Sequence, residues 1–306
     1  MKVAVFGATG FVGQYIIDEL LSSNMQPRVL VRSGSESKCP SKCEIVSGSI
    51  DKIESIKDTM KDVGAVIYNI GIIREFPKRG VTYEGLHFQG VKKCIDVANN
   101  FGIKRFLLMS ANGVKLDGTG YQKTKWQAEE LLKKSGLDWT IFRPSLIFGN
   151  PNGEGRPEFC TQLRDDMLSL PIPAPLFYTG LLPFNAGSFS LSPIHASNVA
   201  KFFVKSITKS DGIGKIYNLG GEKSYTWKEI IHTIALASGK LTWKIPAPIF
   251  AIKSISLLLD RFEWFPVTRD QITMLIEGNV VNENYFSEFE IDPISFEEKN
   301  LTYLKD

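Results

Sequence analysis

Short apolar runs alternate with longer amphipathic stretches through the first 150 residues of the chain. The runs are rich in β-branched and aromatic residues, as strands are, and the stretches between them repeat apolar residues every three or four positions, as helices do. This alternation predicts a parallel sheet covered by helices on both faces. The predicted strands are residues 3–6, 29–31, 44–46, 65–68, 106–109 and 140–142, and the clearest predicted helices are residues 13–21, 83–100 and 122–134.

The pattern loosens after Pro144. Residues 167–200 contain no Asp, Glu, Lys or Arg and include several prolines. They favour either a buried irregular segment that closes over a site or an apolar surface that meets a membrane or a partner. We therefore expect an α/β fold of the Rossmann type, with a doubly wound parallel sheet in residues 1–150. Residues 151–306 are expected to return strands and helices to this core and to form a smaller substrate or partner lobe.

Composition and charge exclude several classes of protein. The 306 residues carry 36 basic and 33 acidic side chains, a formal net charge of +3, which is too small and too dispersed for a nucleic-acid groove. The four cysteines lack paired CxxC spacing, so neither a disulfide framework nor a metal site is predicted. A strand follows Met1 at once, without the pattern of a signal peptide. We expect a location in the cytoplasm or on the stromal or matrix side of an organelle.

One apolar stretch, residues 249–259, is interrupted by Lys253 and is shorter than the ~20 residues that a spanning helix requires. Its apolar positions, continued to Phe262, can form one face of a helix. That face either packs on the core or lies in a membrane interface, which would make the protein peripheral to a membrane.

The strongest motif is the glycine loop Gly7-Ala8-Thr9-Gly10-Phe11-Val12-Gly13, which lies directly between the first strand and the first helix. Glycines allow a tight turn and a close approach of the backbone to a pyrophosphate, and the helix N-terminus offers free N–H groups to the anion. The loop predicts a bound dinucleotide. Its predicted contact residues are Gly7, Thr9, Gly10, Phe11, Val12 and Gly13.

The end of the second strand bears on the choice of nucleotide. An acidic residue there usually holds the ribose 2′-hydroxyl of NAD, whereas an arginine can pair with the 2′-phosphate of NADP. This chain has Val31-Arg32-Ser33. Arg32 therefore favours NADP(H), with NAD(H) as the alternative.

A second motif, Tyr121-Gln122-Lys123-Thr124-Lys125, has the form YxxxK, and its spacing places Tyr121 and Lys125 on one helix face. Ser110 follows the strand 106–109, at the sheet edge where ligands of such folds bind. With the GxxGxxG loop, these residues resemble the extended and atypical short-chain dehydrogenases/reductases. The resemblance implies that Tyr121 is a general acid/base and that Ser110 orients a carbonyl. Lys125 would lower the pKa of the phenol and hold the nicotinamide ribose.

The resemblance also implies cofactor contacts beyond the glycine loop. The residues after the third strand are Gly48-Ser49-Ile50-Asp51, where relatives commonly have Gly-Asp, so the usual adenine contact is altered. The implied contact residues are Ser49, Ile50, Ile70, Gly71, Tyr121, Lys125, Pro144 and Ile147.

The three histidines, His87, His195 and His232, are expected to be packing or surface residues.

Within this superfamily the chain is most similar to the NAD(P)H-binding accessory subunit of respiratory complex I and its bacterial relatives. The segments that carry the similarity begin at Asn69, Tyr83, Tyr217 and Phe265. The N-terminal half also resembles cofactor-binding assembly factors of photosystems.

Two functions follow from these observations. The first is an NADP(H)-dependent oxidoreductase for an apolar small molecule, such as a quinone or an isoprenoid lipid. The second is a non-catalytic NAD(P)H-binding accessory or assembly protein whose partner is a membrane electron-transport complex. A sugar-nucleotide epimerase ranks third, because the C-terminal lobe offers few polar groups for a diphosphate sugar.

Overall fold

A computed structural model describes residues 1–153, 155–169, 173–250 and 269–305. The chain divides into two compact units. The first unit is formed by Met1–Pro144, Ala196–Leu219 and Tyr285–Asp292. The second is formed by Ser145–His195, Gly220–Asn284 and Pro293–Asp306. Segments beyond residue 150 therefore contribute to both units.

The described residues form strands and helices as follows. The strands are β1 Lys2–Phe6, β2 Gln26–Val31, β3 Glu44–Ser47, β4 Ala65–Tyr68, β5 Arg105–Met109, β6 Asp138–Pro144, β7 Ile147–Phe148, β8 Ala174–Tyr178, β9 Ser190–Leu191, β10 Ile194–His195, β11 Lys215–Leu219, β12 Tyr225–Thr226 and β13 Lys244–Pro248. The helices are α1 Phe11–Ser22, α2 Ile53–Met60, α3 Gly90–Asn100, α4 Gly120–Lys133, α5 Phe159–Leu163, α6 Ala196–Thr208, α7 Trp227–Ala237 and α8 Arg269–Glu277.

The first unit contains a parallel sheet of seven strands in the order β11-β6-β5-β4-β1-β2-β3. Chain order reverses between β1 and β4, so a topological switch point lies at the carboxyl ends of these two strands, where ligands of such sheets bind. The predicted doubly wound Rossmann-type fold is confirmed. The edge strand β11 was not among the predicted strands.

Helices cover both faces of this sheet. Apolar residues of α2, α3 and α4 join one buried cluster with the inward side chains of the sheet, and α1 and α6 pack on each other. A π-helical turn, Glu84–Gln89, leads into α3. Turns of this kind place an extra residue in a helix and occur frequently at functional sites.

The second unit is built from short paired strands around Trp227. β7 pairs with β10 and β8 with β13 in parallel, whereas β9 and β12 are antiparallel. The rings of Phe177 and Phe189 stack on the Trp227 indole, with centroids 6.0 and 5.6 Å away. Among the described residues, no helix is long and apolar enough to cross a membrane.

Two sequence predictions concern residues beyond the described ranges. All but two residues of the apolar stretch 249–259 lie there, and so does the beginning of the family segment at Phe265.

Candidate functional site

The glycine loop packs tightly against neighbouring backbone. Gly7 has φ +94°, and a Cβ there would lie 2.8 Å from the carbonyl carbon of Asn69. A Cβ on Gly13 would lie 2.1 Å from the Gly7 carbonyl oxygen. Helix α1 begins at Phe11, and its N-cap, Gly10, offers no side-chain cap. The first N–H groups of α1 are therefore open to an anion, and the cradle fits a dinucleotide phosphate.

Arg32 follows β2 at the same edge of the sheet, and its side chain is exposed. Beside this strand end, the Ser33 and Ser47 hydroxyls are 3.3 Å apart, and Ser47 Oγ donates to Glu36 Oε1 at 2.8 Å. This hydrogen bond lowers the pKa of the Glu36 carboxyl. The strand end thus presents a guanidinium and two hydroxyls together with one ionised carboxylate.

The residues after β3 are held locally. Ser49 Oγ donates to Asp51 Oδ2 at 3.2 Å and accepts from the Asp51 N–H at 3.3 Å. Ile50 is buried in the apolar cluster beneath the sheet. A contact between Ile50 and the nucleotide stays a prediction.

Residues 69–72, which we call the β4 loop, connect the glycine loop with α4. The Asn69 N–H donates to the Phe6 carbonyl at 2.8 Å, and the backbone of residues 69 and 70 lies against Gly7. Ile70 is half-buried on the core. A Cβ on Gly71 would lie 3.6 Å from Lys125 Nζ, so the loop backbone also approaches α4 closely.

Ser110, Tyr121 and Lys125 come together around the end of β5. The Ser110 N–H donates to the Phe142 carbonyl at 2.7 Å. Its Oγ is buried and has no hydrogen-bond partner among the residues described. Lys125 Nζ donates to the carbonyl of Met109, the residue before Ser110, at 3.0 Å, and lies 5.6 Å from the Tyr121 ring centroid. The predicted residues Ser110, Tyr121 and Lys125 therefore lie near the carboxyl end of β5.

A capping box fixes the start of α4. Thr119 Oγ1 accepts from the Gln122 N–H at 3.3 Å, and Gln122 Oε1 accepts from the Thr119 N–H at 2.8 Å. Gln122 Nε2 also donates to the Gly113 carbonyl at 2.9 Å, which ties the segment after β5 to the helix. These bonds satisfy donors that a helix start leaves free, and they place Tyr121 in the first turn.

Burial controls the protonation of the site. It lowers the pKa of Lys125 to about 8, an effect that the Glu129 carboxylate partly opposes. Glu129 is itself fully buried and pairs with Arg143, whose Nε is 2.9 Å from Oε1. Burial also raises the pKa of Tyr121 above its ordinary value. The resemblance to short-chain dehydrogenases implied the opposite direction for Tyr121. Burial causes the difference, and Lys125 Nζ, which donates to the Met109 carbonyl, lies 5.6 Å from the centroid of the Tyr121 ring.

His87 belongs to this cluster, although the sequence indicated only a packing or surface residue. Its Nε2 accepts from the Ile72 N–H at 3.1 Å, and its Nδ1 is 3.2 Å from Thr124 Oγ1. The ring stacks on Tyr83 and meets Tyr121 edge-on, with centroids 5.3 and 5.2 Å away. The spacing of Tyr83 and His87 on one helical face was the available sequence signal.

The remaining predicted residues belong to the end of β6, the strand that pairs with β5, and to the second unit. Pro144 ends β6, and its carbonyl accepts from the Asn112 N–H at 2.9 Å. Ile147 belongs to the second unit, where it pairs with Ile194. His195 packs edge-on against Phe148, and His232 is exposed on α7. In the described ranges, no group of three or more side chains is arranged to hold a metal ion.

Comparison with protein families gives a match over residues 7–166, to the model described as NAD(P)H-binding. These residues include the glycine loop, Arg32, the β4 loop and the Ser110, Tyr121 and Lys125 cluster. The match supports the coarser part of the cofactor prediction, which is that the dinucleotide carries a nicotinamide.

Two similar proteins support this family match. The chain is 22% identical to the 40 kDa subunit of mitochondrial NADH-ubiquinone oxidoreductase from Neurospora crassa, over 98% of this chain and 77% of that protein. It is also 22% identical to the photosystem II assembly factor Ycf39 from Trieres chinensis, over 100% of this chain and 91% of that protein. The resemblance to the complex I subunit is confirmed, and the resemblance to photosystem assembly factors, expected for the N-terminal half, extends over the whole chain.

The fold is shared with a solved epimerase. The UDP-glucose 4-epimerase of Thermus thermophilus, in complex with NAD, superposes with a TM-score of 0.75 at 16% identity, over 99% of this chain and 97% of that one. At this identity the likeness concerns the fold alone.

Proposed function

The chain belongs to the NAD(P)H-binding family, and from that premise we propose that it is an NADP(H)-dependent oxidoreductase of the atypical short-chain dehydrogenase type. Ser110 carries the proposal. Its buried Oγ has no partner among the described residues, although such hydroxyls are nearly always hydrogen-bonded. A substrate oxygen bound beside Tyr121 and Lys125 would satisfy it.

The side chains present suit the reduction of a carbonyl to an alcohol. When bound, the cofactor supplies a hydride. Tyr121 has a raised pKa, so it stays protonated at neutral pH and can donate its proton to the carbonyl oxygen. Ser110 Oγ donates a hydrogen bond to the same oxygen. The Lys125 ammonium beside the ring stabilises the phenolate that remains.

The end of β2 supports NADP(H) over NAD(H). The exposed Arg32 guanidinium matches a phosphate in charge and geometry. Ser33 lies beside it and can donate to a phosphate in place of Ser47 Oγ, whereas Ser47 already donates its proton to Glu36. Glu36 opposes this preference, because its ionised carboxylate would repel a 2′-phosphate and could instead accept from ribose hydroxyls. The choice therefore depends on the balance between Arg32 and Glu36.

An apolar loop in the second unit supports a lipid-like substrate and contact with an anionic membrane. Leu181 and Phe184 are 93% and 91% exposed in the loop that follows β8. Lys228 lies against this loop, and the pKa of Lys244 is lowered by burial and by the charge of Lys228, so the two cations are close together. Exposed apolar side chains with basic side chains nearby are typical of segments that enter the headgroup region. A protein with such a surface would meet quinone- or isoprenoid-like carbonyl compounds in the membrane, and these are the proposed substrate class.

The second candidate function is a non-catalytic NAD(P)H-binding accessory protein of a membrane electron-transport complex. The bond from Lys125 Nζ to the Met109 carbonyl favours it, because the lysine does not engage the tyrosine hydroxyl. The relatives named as a complex subunit and an assembly factor also favour it. In this role the nucleotide binds and no hydride is transferred.

Calorimetric titration with NADPH and NADH, followed by NADPH oxidation with quinone acceptors, separates these functions. We expect NADPH to bind more tightly than NADH, and Arg32→Glu to weaken or reverse this preference. Tyr121→Phe should lower turnover roughly a hundredfold while it preserves NADPH affinity. Tyr225→Phe, in the second unit, is the control.

The outcomes of these measurements are distinct. Intact NADPH binding without turnover for any acceptor would support the accessory function. Absence of binding by either nucleotide would contradict both functions. Flotation with anionic liposomes tests the membrane contact, and Leu181→Ser with Phe184→Ser should abolish it.

A further inference from the structure

His87 is buried at the centre of the candidate site, with 2% of its surface exposed. The Ile72 N–H can only donate, so Nε2, 3.1 Å away, must accept and carry no proton. The ring proton therefore sits on Nδ1 and is donated to Thr124 Oγ1 at 3.2 Å. The Thr124 hydroxyl in turn donates to the Gly120 carbonyl at 2.9 Å. Every donor and acceptor in this chain of bonds has a fixed role.

The same surroundings keep the ring neutral. Burial and the nearby Lys125 charge hold the pKa of His87 well below its ordinary value. To accept a proton, Nε2 would have to release the Ile72 N–H, which would leave a partly buried donor without its partner. His87 is therefore unsuited to carry protons, and its contribution must be geometric.

The bonds of His87 join two parts of the site. One is the β4 loop, whose backbone lies against Gly7 and approaches Lys125 at Gly71. The other is α4, where Thr124 directly precedes Lys125. Tyr83, which directly precedes the π-helical turn, reinforces the connection, because its hydroxyl donates to the carbonyl of Ile73, the residue after the β4 loop, at 3.0 Å. Two hydrogen bonds therefore hold residues 72 and 73 to the segment that contains His87.

We propose that His87 is a positioning residue that fixes the β4 loop at a set distance from α4, so that a nucleotide held by the glycine loop meets Tyr121 and Lys125. The proposal rests on nucleotide binding as described under Proposed function. In this role the His87 imidazole is neutral, has its proton on Nδ1, and holds the β4 loop to α4.

Three substitutions of His87 distinguish the contribution of the aromatic ring from the contributions of its two hydrogen bonds. His87→Phe keeps an aromatic ring but loses both bonds. His87→Gln places Oε1 as many bonds from Cα as Nε2 and can accept from Ile72, whereas His87→Asn can retain only the bond to Thr124. We expect His87→Phe and His87→Asn to weaken NADPH binding about tenfold, the equivalent of one net hydrogen bond, and His87→Gln to restore affinity to within about threefold of the original protein.

A stability control distinguishes positioning from simple packing. Asn198 Nδ2 donates to the Asp292 carbonyl at 2.8 Å within the same unit. Asn198→Ala should lower the melting temperature and leave the NADPH Kd of the folded protein unchanged. Equal Kd values for His87→Phe and the unaltered protein would overturn the proposal.

Imidazole ¹⁵N NMR of the unaltered protein tests the tautomer without any variant or ligand. The expected signal is a neutral ring with its proton on Nδ1 near pH 7. A proton on Nε2, or a charged ring, would overturn the proposal even if His87→Phe failed to fold. If the unaltered protein binds no nucleotide, the proposed function fails, whereas the NMR result still reports on the connection itself.

Discussion

The glycine loop and the cluster around Tyr121 both lie in the first unit, but the loop presents backbone groups and the cluster presents polar side chains. The loop works through backbone and through missing side chains: Gly7 and Gly13 each leave less than 3 Å for a Cβ. The cluster works through polar side chains: Ser110 and Lys125 are buried, Tyr121 is half-buried, and His87 packs edge-on against the Tyr121 ring. One region binds with groups that cannot change charge, and the other depends on groups that can.

This difference decides what local sequence reveals. Backbone N–H groups at a helix start have fixed polarity, so the GxxGxxG spacing suffices to predict an anion cradle. The charge of Lys125 depends on burial by segments distant in sequence, and its pKa falls to about 8 as a result. A motif can therefore identify the side chains of the second region without giving their protonation.

The largest expected effect comes from replacing the buried lysine. Burial disfavours the charged form of Lys125 in the folded protein, so the unfolded chain binds its proton more tightly. Between pH 8 and 10.5, the folded and ordinary pKa values, the free energy of unfolding of the unaltered protein should rise relative to Lys125→Met. The rise should be on the order of 3 kcal/mol, because each pKa unit corresponds to about 1.4 kcal/mol.

Urea unfolding at pH 7, 8, 9 and 10.5 measures this change. The difference between the proteins should be nearly constant below pH 8 and should change through the window above it. Lys123→Met is the matched control, since this side chain is exposed on the same helix. If the difference in free energy of unfolding between the unaltered protein and Lys125→Met did not vary with pH, Lys125 would be hydrated in the folded protein. The cluster would then differ less from the glycine loop.

The second prediction concerns the backbone region. Gly7→Ala adds a methyl group 2.8 Å from the Asn69 carbonyl carbon at a φ of +94°. The β4 loop must move, so we expect NADPH affinity to fall roughly thirtyfold, about 2 kcal/mol. Titration calorimetry measures this loss.

Gly136→Ala provides the control for this substitution. Gly136 has φ +75° with nothing within 4 Å of its Cβ position, so it reproduces the backbone strain without the collision. It should lower stability and leave NADPH affinity unchanged. Equal losses of affinity in the two variants would show that strain alone, rather than the close approach to the β4 loop, explains the effect.

The same contrast explains which sequence predictions succeeded. The sheet and its first helices were predictable because apolar periodicity is local, and β4 was predicted to its exact bounds as Ala65–Tyr68. The role of His87 was not predictable, because its partners Ile72 and Thr124 are 15 and 37 residues away. Strand β11 was missed because it joins β6 only after the chain has passed through the second unit.

The smallest expected effect compares two helix caps that differ in what they support. Thr119 and Thr226 each form a capping box, at the starts of α4 and α7. Loss of either cap by substitution with Ala should lower stability by about 1 kcal/mol. Only α4 carries Tyr121 and Lys125, so only Thr119→Ala should also weaken NADPH binding, by about twofold to threefold.

Thermal unfolding and titration of both variants test this selectivity. If Thr226→Ala weakened NADPH binding as much as Thr119→Ala, affinity would follow overall stability rather than the placement of α4. The reaction cluster would then have no special dependence on its supporting helix. If only Thr119→Ala has this effect, the cluster depends on helix placement in addition to its side chains, whereas the glycine loop carries its geometry in its own backbone.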